Sequence, residues 1–446
     1  MKVFGRRDLP EEATRIANDP LPPAAAEPSV LPTAALRERV LKQIDIAAAS
    51  GLTPAALQRE IEHLIHEIAN EERVGLSAHE QSRLAEDLAD DMIGYGPLEP
   101  LLRDDLITEI MVNGPNNVYI ERSGKLERTN IRFRDADHII AIAQKIAAKI
   151  GRRIDESSPM VDARLRDGSR VNVILPPLAI DSPCITIRKF SRHRLDFAAM
   201  VANGTMSAGV AHLLGIAARA RLNVLISGGT GSGKTTLLNA LSRLIDNGER
   251  IISIEDAAEL QLQQPHVIRL ETRSPNLEGG GQVNQHDLLR NALRMRPDRI
   301  IVGEVRGSEA FDMLQAMNTG HDGSISTVHA NTARDALTRV ENMVQMGYAS
   351  LPLRAIRSQI VDALDLVVHV ERMRDGVRRV TQVVEVCGLE GDVITMNELV
   401  AFEFEREDEQ GRILGHYRAL HGRPGFFSRL EYFGVDRAWT AAEREV

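Results

Sequence analysis

Cysteine is scarce in this chain of 446 residues, since only Cys184 and Cys387 occur and they lie far apart. Two cysteines suit a reducing compartment and exclude a tetracysteine zinc site within this chain. Long apolar runs are also lacking, because no stretch approaches the roughly 18 uninterrupted apolar residues of a membrane-spanning helix. The first residues lack the apolar core of a signal peptide, so we expect a cytoplasmic protein.

Positive charge is in deficit as well, with 54 Lys and Arg residues against 63 Asp and Glu residues and a formal net charge of −9. Nucleic-acid binding depends mainly on basic side chains that neutralise phosphates, so we expect no stable nucleic-acid partner. The chain does contain 43% hydrophobic and 26% charged residues, which supports packed cores. Its length suggests two or three domains.

Composition and periodicity divide the first part of the chain. Residues 1–33 are rich in proline and alanine, which predicts a disordered leader. The segment 34–95 is predicted to be helical and to pack as a small bundle, with partner docking as the alternative use of its apolar stripe. That stripe contains Leu36, Val40, Ile44, Leu57, Ile61, Leu64, Ile65, Ile68, Leu84, Leu88 and Met92.

The segment 96–190 is predicted to be an α+β domain. A helix should end near Gly151, and Asp167-Gly168 is typical of a hairpin turn. Strands are predicted at 107–112, 118–121, 160–164, 171–175 and 184–190. A charged linker over 191–205 then leads to the last domain.

Short apolar strands alternate with helical patterns in the segment 206–446, which predicts an α/β domain with a mainly parallel sheet. The strands are predicted at 222–227, 251–255, 300–302, 324–328 and 366–370. A C-terminal extension concentrates aromatic residues in a chain that is only 4% aromatic. We expect these residues to pack onto the domain surface, with a binding box as the alternative: Phe402, Phe404, Tyr417, Phe426, Phe427, Tyr432, Phe433 and Trp439.

The sequence GGTGSGKTT, from Gly228 to Thr236, fits the phosphate-binding pattern G-x-x-x-x-G-K-[ST] between a predicted strand and a predicted helix. Glycines let backbone N–H groups surround phosphate oxygens, and the helix dipole favours anions. Lys234 supplies a positive charge near the β- and γ-phosphates, and Thr235 offers a hydroxyl to Mg²⁺. We predict an ATP and Mg²⁺ site formed by Gly229, Thr230, Gly231, Ser232, Gly233, Lys234, Thr235 and Thr236.

Two further predicted strands end in acidic residues. The stretch RIIVGE ends at Glu304, which is suited to orient an attacking water, although Gly303 replaces the aspartate usual before it. The stretch IEDAAE contains Glu255, which could act as a second base or near a metal-bound nucleotide. Each glutamate could instead be an ordinary solvated strand end.

Histidines flank another predicted strand in GHDGSISTVHAN, and their spacing is not typical of a metal site. His329 could sense a γ-phosphate by donating a hydrogen bond to it. By pattern alone, a structural histidine is the simpler interpretation.

The motifs GGTGSGKTT, IEDAAEL, LRMRPDRIIVGEVRG and GHDGSISTVHANT stand in an order that resembles the Walker A, Asp, Walker B and His boxes of secretion-superfamily ATPases. These ATPases power type II and type IV secretion and type IV pili. The stretches DARLRDGSRVNVILPPLA, CITIRKF and GGGQV are most similar to the CpaF branch, the ATPases of tight adherence (Flp) pili. The resemblance covers about residues 95–440.

The resemblance implies a P-loop RecA-like ATPase domain preceded by an α+β N-terminal domain, with a helical appendage before both. It also implies a homohexameric ring with nucleotide bound between the two domains of each subunit. Glu304, Glu255 and His329 would be catalytic, together with Arg170 and Arg188 from the N-terminal domain. The tetracysteine zinc element of some relatives is impossible here. These two arginines could otherwise be ordinary solvated side chains.

We therefore predict a hexameric ATPase that powers pilus assembly or secretion, peripherally associated with the inner membrane through a platform protein. One alternative is a type IV secretion ATPase that moves DNA or effector proteins. The other is a ring-shaped nucleotide switch that docks partners with little turnover.

Overall fold

The computed structural model describes residues 30–44, 52–71, 75–122, 124–165, 167–190, 195–273, 275, 280–420 and 422–446. Residues 1–29 of the predicted leader and 191–194 of the predicted linker lie outside these ranges. The described chain forms two compact units. The first comprises the described residues within 1–121, 126–163 and 171–187, and the second comprises the described residues within 122–125, 164–170 and 188–446. The predicted domain boundaries stay a prediction.

The first unit begins with helices that bury one apolar face each. Its helices are α1 (Val30–Gln43), α2 (Pro54–Glu71), α3 (Ala78–Ile93), α4 (Glu99–Arg103) and α5 (Ala136–Lys149), with a 3₁₀ turn at Gly96–Leu98. Ser77 and Glu80 form a capping box that begins α3. Leu36, Leu57 and Leu88 are among the stripe residues that α1, α2 and α3 bury together, so the predicted bundle packing is confirmed.

The chain between Ile107 and Arg188 also forms a six-stranded sheet. The strands are β1 (Ile107–Asn113), β2 (Val118–Arg122), β3 (Lys125–Arg128), β4 (Met160–Arg164), β5 (Arg170–Ile174) and β6 (Cys184–Arg188), in the order β3-β2-β1-β6-β5-β4. Gly168 has φ +95° in the turn between β4 and β5, a conformation that glycine adopts without strain. The hairpin predicted from Asp167-Gly168 is therefore confirmed.

The second unit is built on a nine-stranded sheet in the order β15-β14-β13-β12-β7-β11-β10-β8-β9. Its strands are β7 (Val224–Gly228), β8 (Ile251–Glu255), β9 (Val267–Glu271), β10 (Arg299–Val305), β11 (Ile325–His329), β12 (Leu366–Arg372), β13 (Arg378–Glu390), β14 (Val393–Glu407) and β15 (Ile413–Ala419). Neighbours from β12 to β9 pair in parallel, whereas β13, β14 and β15 add antiparallel pairs. The predicted parallel core is confirmed, but β9 and the antiparallel extension were missed.

Helices cover both faces of this sheet and bury two apolar clusters. They are α6 (Phe197–Ala202), α7 (Ala208–Arg219), α8 (Lys234–Ser242), α9 (Gln285–Ala292), α10 (Glu309–Asn318), α11 (Ala333–Gly347), α12 (Leu353–Ala363), α13 (Phe427–Tyr432) and α14 (Asp436–Glu445). Because parallel strands end at a common edge, loops after β7, β8, β10 and β11 come together there.

The C-terminal aromatic residues divide between core and surface. Trp439 and Phe426 are 1% and 8% exposed and join the cluster that α7 and α8 bury, with ring centroids 5.3 Å apart. Tyr432 is 85% exposed and Phe404 is 51% exposed. The expected packing onto the domain is thus confirmed for Trp439 and Phe426, which complete its core.

Candidate functional site

The glycine loop predicted from GGTGSGKTT joins β7 directly to α8. Gly233 caps the helix in the left-handed conformation, with φ 98° and ψ 19°. A Cβ on Gly228 would lie 2.2 Å from the Val370 carbonyl oxygen, so the neighbouring strand β12 requires glycine there. The structure therefore has the strand, loop and helix order that phosphate binding needs.

Lys234 begins α8 and folds back over the loop. Its Nζ donates to the carbonyl oxygens of Gly228 and Gly229, each at 2.9 Å. Burial lowers the pKa of Lys234; Glu304 opposes this shift, while Arg306 and Arg188 add to it. These three charged residues are thus within electrostatic reach of the lysine.

The hydroxyl groups of the loop fit a phosphate and its metal ion. The Oγ of Ser232 is buried and has no hydrogen-bond partner among the described residues. Thr235 and Thr236 lie in the first turn of α8, where both side chains are half-buried. A buried hydroxyl without a partner inside a glycine loop is an available group for a nucleotide phosphate.

Glu304 lies near the carboxyl end of β10, as predicted. Arg306 donates from Nε to the Glu304 Oε2 at 2.9 Å, and a second guanidinium nitrogen contacts the same oxygen at 2.5 Å. Burial lowers the pKa of Arg306, but the hydrogen bond and charge of Glu304 outweigh it and raise that pKa. Sequence reasoning missed Arg306, although it stands only two residues after the glutamate.

Glu255 ends β8, the strand beside β10, and is 3% exposed. Its Oε2 accepts from the backbone N–H groups of Glu259 and Leu260 at 2.6 and 2.8 Å. Its Oε1 is buried without a hydrogen-bond partner in the described part of the chain. Burial raises the pKa of Glu255, and the two N–H donors oppose that shift.

Gly303 explains the missing aspartate before Glu304. A Cβ at this position would lie 2.9 Å from the Cγ of Glu255, which tightly restricts any side chain. Thr327 on β11 donates from Oγ1 to the Gly303 carbonyl oxygen at 2.7 Å. Glycine therefore lets the two acidic strand ends lie side by side.

His329 ends β11 and pairs in register with Gly228 on β7. This register places the histidine beside the first residue of the phosphate loop, where its ring is half-buried. The structure thus brings His329 to the common edge of the sheet with Lys234 and the two glutamates.

His369 on β12 is a site residue that sequence reasoning missed. It is 4% exposed, and its Nδ1 lies 2.8 Å from the Oγ of Ser227, which stands just before the glycine loop. Burial lowers the pKa of His369. A histidine inside the apolar run LVVHV was the available signal, because buried polar residues need a hydrogen-bond partner.

Residues 91–395 match the family model described as type II/IV secretion system protein. The chain belongs to this family. A Mycobacterium tuberculosis protein provisionally named for conjugal transfer is 40% identical over 312 residues, covering 69% of this chain and 88% of the relative.

Two further relatives of this secretion-family protein are named VirB11. The type IV secretion system protein VirB11 of Bartonella quintana is 31% identical over 326 residues, covering 64% of this chain and 90% of the relative. The solved VirB11 ATPase of the Brucella suis type IV secretion system is 30% identical, covering 64% of this chain and 94% of that one, with a TM-score of 0.35.

Family membership supports ATPase activity, and with it nucleotide binding, in general. The predicted fold class, an α/β protein with a RecA-like P-loop ATPase domain, is confirmed. Across the described ranges, no helix of this secretion-family protein is long and apolar enough to cross a membrane.

The two predicted arginines of this secretion-family protein have different surroundings. Arg170 forms an ion pair with Glu259, with Nε and Oε1 3.1 Å apart, and donates to the Ala257 carbonyl oxygen at 3.2 Å. Arg188 acts on Lys234 through its charge. Arg170 therefore binds the loop after Glu255, whereas the charge of Arg188 contributes to lowering the pKa of Lys234 in the phosphate loop.

Proposed function

We propose that this protein is a homohexameric ATPase that drives assembly of Flp or type IV pili at the inner membrane. One observation supports hydrolysis above all: Lys234, at the start of α8, lies at the same sheet edge as Glu255 at the end of β8 and Glu304 near the end of β10. A phosphate-binding lysine beside two carboxylates is the arrangement that hydrolysis of a phosphoanhydride needs.

In the proposed reaction, the glycine loop and Lys234 bind the phosphates of ATP. Glu304 orients the attacking water, and Arg188 and Arg170 stabilise the charge that develops on the transferred phosphoryl group. Thr235 would hold Mg²⁺, which neutralises charge on the β- and γ-phosphates when bound. Glu255 and His329 complete the site as a second acid–base group and a γ-phosphate sensor.

The pilus assignment is supported by the resemblance of DARLRDGSRVNVILPPLA, CITIRKF and GGGQV to the CpaF branch. A second candidate is a type IV secretion ATPase that moves DNA or effector proteins. Relatives named for conjugal transfer and for type IV secretion favour it. A nucleotide-dependent docking switch with little turnover is disfavoured by the paired glutamates.

Action at the membrane would require recruitment by a multi-span platform protein. The face of the N-terminal domain and the helices α1 to α3 are the surfaces we propose for that contact, although their stripe residues mainly pack the bundle. Hydrolysis would open and close the proposed domains 96–190 and 206–446, joined by the linker 191–205.

Gene disruption tests this proposal, with the wild type, Lys234→Ala and the matched variant Lys125→Ala returned to the disrupted strain. We expect surface fibres to require Lys234 but not the exposed Lys125 on β3. The wild-type protein should fractionate with membranes only when its platform partner is present. Intact fibres with loss of DNA transfer or effector export would establish the secretion alternative instead.

A further inference from the structure

The turn between β12 and β13, Met373 to Val377, is held by one buried carboxylate. The Asp375 side chain is 1% exposed and accepts from Arg379 Nη1 and Nη2 at 3.0 and 2.9 Å. It also accepts from the backbone N–H groups of Val377 and Ile413 at 3.1 and 3.0 Å. A turn with so many charge-assisted hydrogen bonds has little freedom to move.

These hydrogen bonds also affect the carboxylate itself. Burial opposes ionisation of Asp375, but its Arg379 and backbone donors prevail and lower its pKa to about 2. The carboxylate is therefore charged at neutral pH, and the turn keeps its hydrogen bonds there.

Arg378 follows this turn as the first residue of β13 and extends to the glycine loop. Its Nε donates to the Gly231 carbonyl oxygen at 2.9 Å. Its Cδ would lie 3.1 Å from a Cβ placed on Gly233, so the aliphatic part of the arginine covers the residue that caps α8. The side chain is otherwise exposed.

The contacted loop needs support from outside because it has few side chains of its own. Gly231 and Gly233 have φ values of 70° and 98°, and glycine adopts many other conformations as readily. A hydrogen bond to the Gly231 carbonyl fixes the peptide plane that also contains the Ser232 N–H group. That plane is part of the backbone that surrounds phosphate oxygens in such loops.

We propose that Arg378 is a positioning residue of the nucleotide site, which holds the glycine loop in its binding conformation and so sets ATP affinity. This inference rests on the proposed ATP site. Asp375 acts indirectly, because it stabilises the turn that positions Arg378. Neither residue takes part in the chemical step.

The test compares Arg378→Gln, Arg378→Lys and the matched variant Arg374→Gln. Arg374 lies on the same turn but forms its ion pair with Glu407. We expect Arg378→Gln to raise the Kd and KM for ATP about tenfold, because one charge-assisted hydrogen bond is lost, with kcat within about twofold. Lysine should restore part of the affinity, since it can donate to the same carbonyl, and Arg374→Gln should match the wild type.

A double-mutant cycle with Asp375→Asn tests the second step. If Asp375 acts through Arg378, the two effects on Kd should not add. Unchanged Kd in Arg378→Gln, or a fall in kcat alone, would overturn the proposal while the wild type still hydrolyses ATP. Failure of the wild type to bind ATP would instead count against the proposed function.

Discussion

Two clusters of titratable residues, one in each unit, differ in where the fold places them. The strand-end cluster in the second unit contains Lys234, Glu255, Glu304 and Arg306. The helix–helix cluster in the first unit contains Arg37, Asp91, His138 and Lys145. The strand-end cluster lies at the edge where parallel strands end, whereas the helix–helix cluster joins α3 and α5.

Most polar atoms of the helix–helix cluster form internal hydrogen bonds. His138 accepts at Nδ1 from the Arg134 N–H at 3.4 Å, and its Nε2 lies 3.3 Å from Asp91 Oδ1. These partners require a neutral ring with its proton on Nε2. Burial, with the charges of Arg134 and Arg37, lowers the pKa of His138 to about 4.

Lys145 caps the end of α3 in the same cluster. Its Nζ donates to the carbonyl oxygens of Asp91 and Met92 at 3.0 and 2.7 Å, groups that a helix end leaves without partners. Burial lowers the pKa of Lys145 to about 8. The cluster thus uses its charged groups to hold one helix against another.

The strand-end cluster leaves an oxygen of an acidic side chain without a protein partner, whereas the helix–helix cluster leaves only the Nε of Arg37 so among the described residues. Glu255 Oε1 has no partner among the described residues, and the Oγ of Ser232 in the glycine loop has none either. Unsatisfied buried atoms cost stability, so their presence at one edge indicates a site for a ligand. Perturbing the strand-end cluster should therefore change turnover, and perturbing the helix–helix cluster should change stability.

Among these variants, Glu304→Gln should change turnover the most. We expect ATP to bind normally and turnover to fall by roughly 100-fold or more, the scale for loss of a positioned acid–base group. Steady-state hydrolysis and a nucleotide titration measure the two quantities. Loss of binding together with turnover would make Glu304 a structural or metal-site residue.

Arg188→Ala should follow in size. The charge that Arg188 places near Lys234 should stabilise the transition state, so we expect hydrolysis to fall about tenfold or more. Oligomerisation, measured by light scattering, should change far less. Arg170→Ala is the companion variant, and unchanged hydrolysis in both would remove the arginines from the site.

Glu255→Gln should separate activity from stability. Because burial raises the pKa of Glu255, an uncharged isostere should leave the melting temperature at pH 7 unchanged or higher. We expect turnover to fall about tenfold if the carboxylate acts in the reaction. A lower melting temperature with full turnover would place Glu255 with the structural residues.

His138→Gln should have the smallest effect, confined to acid pH. The unfolded chain takes up a proton near pH 6.5, but the folded ring does so only near 4, so the wild type loses stability as pH falls through this window. Glutamine keeps a donor and an acceptor without titrating. We expect equal melting temperatures at pH 7 and a higher one for the variant at pH 5.

Matched measurements complete this test. Turnover of His138→Gln at pH 7 should equal that of the wild type. His63→Gln, on the exposed face of α2, should retain the wild-type pH dependence. Reduced turnover in His138→Gln would contradict the assignment of turnover to one cluster and of stability to the other.

Local sequence carried much of the prediction. GGTGSGKTT contains its own turn-forming glycines and helix start, and short apolar runs predicted β8 with both of its ends. The strands β13 to β15 escaped notice because they are long, partly polar and paired by register over many residues. Arg378 was missed because the residue that it contacts, Gly231, lies 147 positions away in the sequence.

By itself, the sequence determined the phosphate loop, the alternation of strands and helices, and the acids and histidine that end particular strands, because each depends on neighbours along the chain. Only the tertiary structure decided which strand ends meet. The order β7-β11-β10-β8 brings His329, Glu304 and Glu255 to one edge, and pairing with β12 brings His369 to the same region. Strand order depends on how both faces of the sheet pack at once, so it cannot be predicted from any local sequence pattern.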